Sequence, residues 1–299
     1  MKAFSAAEQR RRSAVATHVE TLSRIPAEAR SFTVEPGEAE TRFGIAPELQ
    51  AELVKSGLLH EDGPRFAECD LHYVGLRLGV ARTYLITLRT WARALRRYAR
   101  AARTRASVEV YVAATDSISE LDVRIPGGFV RRPVRSEREP IASFGADQIG
   151  TWPDLGPAVR SMALGIAESL EFCWLPDAIR EDLDFVRETG LGDCASATAL
   201  AMEACDEAGV PARRARGLIM AAPFASSHNW TEVRVEGEWV PIDPMLIALL
   251  LRFGGLDPGA WDPGRSPGSL FCRLALDRVP LVSSDGVEVA ASFGVRLAS

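Results

Sequence analysis

The chain has 299 residues, of which 47% are hydrophobic and 25% charged, and its formal net charge is -5. That length can bury a substantial core, in one large domain or two modest ones. The acidic balance gives no general electrostatic attraction to nucleic acid or to an anionic membrane, so neither is expected as a partner. The five cysteines, at 69, 173, 194, 205 and 272, are odd in number, widely spaced and without a C-x-x-C pair. This argues against a disulfide framework and a structural zinc site, and a free thiol suits a reducing compartment. The segment MKAFSAAEQRRR has no apolar signal stretch, and the longest apolar run, Met245 to Leu251, is far too short for a membrane span. A cytoplasmic protein without metal or cofactor is expected.

In chain order, the first thirty or so residues read as one or two helices interrupted by Pro26, and Pro36-Gly37 marks a turn. The stretch to about Gly79 is ambiguous. Over residues 82–104, Leu88, Trp91, Ala92, Leu95, Ala99 and Ala102 fall at helical spacing. Arg89, Arg93, Arg96, Arg97, Arg100 and Arg103 line the other side, giving an amphipathic helix with a basic face. Val108–Val112 and Leu121–Ile125 read as strands, with Pro126-Gly127-Gly128 as a turn. The charged, proline-punctuated stretch RRPVRSEREP, residues 131–140, is the expected domain boundary.

Helices are expected over 157–172 and 177–188, then a small-residue helix from Cys194 to Ala208, stopped by Gly209-Val210-Pro211. Strands follow at Ala215–Met220, His228–Val235 and Trp239–Ile242. The last fifty residues read as a short helix near 245–252, a Pro/Gly-rich loop, and strands near 278–282 and 287–297.

Three features combine into a chemistry. Asp193 is placed to cap the helix that Cys194 opens. The unpaired N–H groups and the dipole of that first turn favour a thiolate, and later an oxyanion. The Asp193 carboxylate opposes this as a nearby like charge, and is expected to turn toward its own helix backbone. Cys205, eleven residues on, lies roughly 16 Å along the axis, out of disulfide reach.

His228 and Asp243 flank a turn at Glu236-Gly237. A two-residue turn sets Asp243 opposite Trp230 and diagonal to His228; a four-residue loop sets it directly opposite His228. Either leaves both side chains on one sheet face, whereas an unbulged three-residue loop separates them. On one face, Asp243 binds one ring nitrogen and the other serves the thiol, as in a Ser/His/Asp triad with sulfur for oxygen.

The segment from Gly192 to Pro244 resembles the core of the transglutaminase-like superfamily, within the papain-like cysteine-enzyme fold. The matching residues are Gly192-Asp193-Cys194, Ala208-Gly209-Val210-Pro211-Ala212-Arg213, Gly217, His228-x-Trp230-x-Glu232-Val233, Trp239-Val240 and Asp243-Pro244. The resemblance implies an α+β fold in which the nucleophile's helix packs on an antiparallel sheet. Residues 141–299 would form the catalytic domain, and residues 1–140 an N-terminal α/β extension. It implies Cys194 as nucleophile, His228 as base and Asp243 as third member, with Trp230 and Glu232 as supporting core. Some members of the family supply an oxyanion donor from an upstream side chain, for which Trp174 is the candidate here. Asn229 stands where alanine is frequent and is expected to face substrate.

The implied activity is acyl transfer through a Cys194 thioester, by an amide synthase, transamidase or amidase acting on a peptide or small-molecule donor with amine or water as acceptor. A cysteine protease on the same triad and an inactive interaction module are the alternatives. The basic helix face is expected to be solvated, or to meet an anionic cofactor or an acidic partner such as an acyl carrier protein. Cys69 and His72 are two ligand types only, too few for a metal site, and read as structural.

Overall fold

The computed structural model describes residues 6–61, 63, 65–113, 118–134 and 139–297. Helix α1 (Ala6–Leu22) leads to strand β1 (Phe32–Val34). Pro36 starts helix α2 (Pro36–Phe43) and Pro47 starts α3 (Pro47–Lys55). Proline suits a first helical turn, where its missing N–H costs nothing, so the turn expected at Pro36 is a helix start. Strand β2 (Phe66–Ala67) precedes α4 (Glu68–Arg77) and α5 (Arg82–Tyr98). The helical pattern expected to 104 ends at Tyr98. From there pairing wins, because Ala106, Val108, Val110 and Val112 alternate into the core on β3 (Arg103–Val112).

Strands β4 (Glu120–Ile125), β5 (Gly128–Pro133) and β6 (Ala142–Ile149) follow. Four residues of the expected boundary segment, 135–138, lie outside the described residues. Next come α6 (Gly156–Ser169), β7 (Glu171–Phe172), α7 (Leu183–Thr189), β8 (Leu191–Gly192) and α8 (Cys194–Glu207). The helix expected from 177 starts only at Leu183, because Asp182 caps it by accepting from the N–H groups of Asp184 and Phe185 at 3.1 Å. Strands β9 (Ala212–Ala221), β10 (Phe224–Val235) and β11 (Glu238–Ile242) lead to α9 (Pro244–Leu249). Strand β12 (Phe271–Leu276) emerges from the Pro/Gly-rich stretch read as loop, followed by β13 (Val282–Ser284), β14 (Val287–Glu288) and β15 (Ala291–Leu297).

Two compact units divide the chain. The first comprises Met1–Thr87 with Ser169–Ser196, the second Leu88–Glu168 with Ala197–Ser299. The second holds chain on both sides of residues 131–140, so these units and a linear division near 140 are different partitions.

In the first unit, Leu22, Ile25, Leu53, Leu71 and Leu76 are buried, and α4 is buried almost all round. Its buried charge must therefore find a partner inside. Asp70 takes the Nε of Arg30 at 2.9 Å, and Arg30 also donates to the carbonyls of Leu22 (2.6 Å) and Ile25. Strands β7 and β8 pair in parallel, Phe172 beside Gly192.

The second unit is built on an antiparallel seven-stranded sheet in the order β12-β9-β10-β15-β3-β6, with β11 also on β10. A four-stranded sheet, β14-β13-β4-β5, accompanies it. The body of α8 is tied to β10 by Thr231 Oγ1, which donates to the Thr198 carbonyl at 3.3 Å. Gly217, paired with His228, has a specific reason to be glycine: a Cβ there would stand 2.0 Å from the Cys272 carbonyl oxygen. Beside it β12 shifts register between Arg273 and Ala275. This is a mixed α+β fold with an antiparallel sheet. Among the described residues no helix is long and apolar enough to cross a membrane.

Candidate active site

The hairpin of β10 and β11 pairs Val235 with Glu238, Val233 with Val240 and Thr231 with Ile242. This is the two-residue turn, with Glu236 at φ 50° and Gly237 at φ 86°, both in the left-handed region that a tight hairpin requires. The register carries Asp243 to a place opposite Trp230 and diagonal to His228, on one face. There His228 Nε2 and Asp243 Oδ2 are 2.5 Å apart. The other carboxylate oxygen, Oδ1, accepts the Leu246 N–H at 2.8 Å and caps α9. One aspartate thus stops the strand, starts the helix and fixes the imidazole. With Nε2 facing the carboxylate, Nδ1 lies on the opposite edge of the ring.

Aromatic rings hold the histidine in place. Phe271 stands 5.5 Å from the imidazole and stacks on Trp230 at 4.4 Å. Trp230 is fully buried. Two residues on along the same face, buried Glu232 accepts from Arg213 Nε at 2.8 Å and pairs with Arg273 at 3.4 Å. Trp230 and Glu232 are core supports, as the resemblance implied. A cavity of about 760 Å³ opens here, its walls including Trp230, Trp239, Phe271, Arg213 and Arg273. Asn229 falls between His228 and Trp230 on a regularly paired strand, so its amide is directed to the other sheet face.

Cys194 belongs to the first unit and opens α8. Asp193 is buried and turned into its own helix. Its Oδ1 accepts the N–H groups of Ala195 (2.8 Å) and Ser196 (3.3 Å). Its Oδ2 is 2.9 Å from Arg180, whose carbonyl accepts the Ser196 hydroxyl at 2.7 Å. The like charge beside the sulfur is therefore both directed away from it and offset by a guanidinium. Burial still pushes the Asp193 carboxyl above its usual range, against the pull of Arg180.

Trp174 and Cys194 each follow the paired strands β7 and β8 by two residues, and the Cys173 N–H donates to the Gly192 carbonyl at 2.9 Å. Trp174 therefore leaves the pair at the same end as the thiol. It is 41% exposed and leans on the His72 ring at 4.6 Å. His72 also meets Tyr84 edge-on at 4.3 Å, and Tyr84 stacks on Phe172 at 6.3 Å. Burial, then negative charge at Cys194 and Asp193, pushes the Tyr84 phenol up.

Neither ring nitrogen of buried His72 has a hydrogen-bond partner among the described residues. Burial lowers its pKa to about 4, which keeps it neutral within its aromatic surroundings. Burial likewise raises the Cys69 and Cys272 thiols to about 12 and that of Cys205 to about 11. The Cys173 thiol is also raised, chiefly by burial. These thiols are poor nucleophiles near neutral pH.

Sequence reasoning did not identify Arg180, Tyr84 or Phe271, and it read His72 as structural without placing it in this cluster. Each acts through tertiary contact and carries no motif. The buried positions of α4 offered one sign, a histidine set among Leu71, Tyr73 and Val74 on a helix with no polar face.

Residues 156–244 match the family model of the transglutaminase-like superfamily. No curated protein matches. A solved structure of a proposed cysteine protease from Cytophaga hutchinsonii is similar over 66% of this chain and 89% of its own, at 13% identity and a TM-score of 0.32. The matched segment takes in Cys194, His228 and Asp243.

Proposed function

We propose that the protein is a thiol-dependent acyl-transfer enzyme in which Cys194, His228 and Asp243 act as one triad. The observation that carries this reading is the His228–Asp243 pair at 2.5 Å, inside a family-matched segment that also contains a cysteine at a capped helix start. Cys194 gives its proton to Nδ1 of His228 while Nε2–H stays on Asp243. The thiolate adds to the carbonyl of an amide, ester or thioester. The tetrahedral oxyanion is held by the backbone N–H of Cys194, those of Ala195 and Ser196 being taken by Asp193, and by the Trp174 indole N–H. The bond to the leaving group breaks as His228 returns the proton, leaving a Cys194 thioester. An amine or water then adds to the thioester, losing its proton to His228, and the thiol is released. Asn229, directed to the other sheet face, has no part in these steps.

Water as acceptor makes the enzyme an amidase or protease, and an amine makes it an amide synthase or transamidase. The triad is the same in each. The test is intact-mass trapping with small thioester and activated-ester donors, followed by addition of amine. An adduct on wild type that Cys194→Ser lacks, and that amine discharges to an amide, supports acyl transfer. Discharge to free acid at a rate indifferent to amine assigns hydrolysis instead. No adduct with any donor, and a thiol no more reactive than Cys205, would make the chain a binding module and end the proposal.

A further inference from the structure

Helix α5 buries Leu88, Ala92, Leu95 and Tyr98. Its opposite side carries Arg89, Arg93, Arg96 and Arg97, continued by Arg100 in the turn that follows. The helix contains no aspartate or glutamate. Arginines at these spacings are neighbours on the helix surface and repel one another, so the arrangement works against the helix that bears it.

Elsewhere on the molecule, several solvent-facing arginines have carboxylate partners, while others, such as Arg24 and Arg132, meet only backbone carbonyls. Arg42 meets Glu38 and Glu68, Arg65 meets Glu61, Arg131 meets Asp122, Arg160 meets Asp262 and Arg296 meets Glu109. Among the described residues, none of the five on and after α5 has such a partner. Arg93 donates only to the Thr90 hydroxyl, at 3.2 Å. The whole chain is acidic, with a net charge of -5, so an uncompensated basic row is a local departure and not a background property.

We infer that this row is a docking surface for an acidic protein, contacted through carboxylates displayed along a helix. Guanidinium groups bind carboxylates with directional, paired hydrogen bonds. Carboxylates repeated at helical spacing would match the row. The twelve residues from Arg89 to Arg100 span roughly 16 Å, about three helical turns, which matches a short stretch of a partner helix laid alongside. An extended polyanion would also overrun the row onto a net-negative surface, where it is repelled. The inference concerns recognition alone and does not depend on thiol chemistry.

The test uses the full chain carrying Cys194→Ala and measures binding by fluorescence anisotropy. The probes are a labelled 20-residue helical peptide with glutamates four apart, the same peptide with glutamine in their place, a short DNA duplex, and phosphatidylserine vesicles. The acidic peptide should bind, and its glutamine counterpart should not. Raising NaCl from low to high concentration should weaken binding by about tenfold or more, because exposed charges are screened. Arg93→Glu with Arg97→Glu and Arg100→Glu should weaken it by at least about tenfold at fixed salt. The same three positions changed to glutamine should fall between, which keeps the test intact if the charge-reversed protein misfolds. Equal binding by wild type and the glutamine variant overturns the inference. So does tighter binding of the duplex or the vesicles than of the acidic peptide.

Discussion

In the proposed triad, the His228 hairpin and the Cys194 helix start are positioned by different means. In the hairpin, position is set by the backbone ladder. A two-residue turn, a paired register and a strand end bring Asp243 to His228, and all three can be counted along the chain. At the helix start, position is set by side chains from distant segments. Arg180 offsets Asp193, and the cluster of His72, Tyr84 and Phe172 packs beside Trp174. The first kind of order is periodic and local; the second depends on tertiary packing. Changes to the hairpin pair should therefore alter chemistry and spare stability, whereas changes around the helix start should alter both.

The largest expected effect lies in the hairpin. His228→Gln keeps a donor near Asp243 but removes the base, and the rate of Cys194 acylation should fall by roughly 10²- to 10⁴-fold. Asp243→Asn keeps the cap on α9 and should also cost rate. Both should unfold within about 1 kcal/mol of wild type in urea. A loss of several kcal/mol in either would remove the contrast between the two regions.

The next effect belongs to the aromatic cluster. His72 is neutral when folded, with a pKa near 4 set by burial, whereas the unfolded chain takes up that proton at its ordinary value near 6.5. Protons then favour the unfolded state, so this residue's contribution to stability falls as pH drops from about 6.5 to about 4 and levels off below. The full effect is about 3 kcal/mol. His72→Phe should flatten that part of the pH–stability curve relative to wild type, as read by urea midpoints. Parallel curves for the two proteins would show that the ring is not held neutral.

Arg180→Gln leaves Asp193 buried without its cation and should destabilise by about 2 kcal/mol. It should also slow Cys194 alkylation at pH 7, because an uncompensated carboxylate disfavours the thiolate. Stability loss without that slowing would make Arg180 purely structural. The smallest effect is the cap: Asp243→Ala should be about 1 kcal/mol less stable than Asp243→Asn.

The same contrast explains what could be read in advance. The fold class is implied by the resemblance of the Gly192–Pro244 segment to a known family, while the turn at Glu236-Gly237, the Asp193 cap and the single face shared by His228 and Asp243 follow from spacing and residue type. Reading 82–104 as one helix failed after Tyr98, because the arginines at 100 and 103 fit a helix period while Ala106 to Val112 fit a strand, and the sheet prevailed. Strand β12 was hidden because its pairing with β9 tolerates a bulge beside Gly217. Arg180 and Tyr84 act on the helix start through packing alone, which leaves no period to detect.

The most direct measurement is the rate of alkylation by iodoacetamide at pH 7, followed by intact mass and peptide mapping on wild type, Cys194→Ser and His228→Gln. One rapid adduct at residue 194 is predicted for wild type, none at that rate for Cys194→Ser, and a much slower one for His228→Gln. Labelling of Cys194 no faster than that of Cys205, or unchanged by loss of the imidazole, would contradict a cysteine activated by His228.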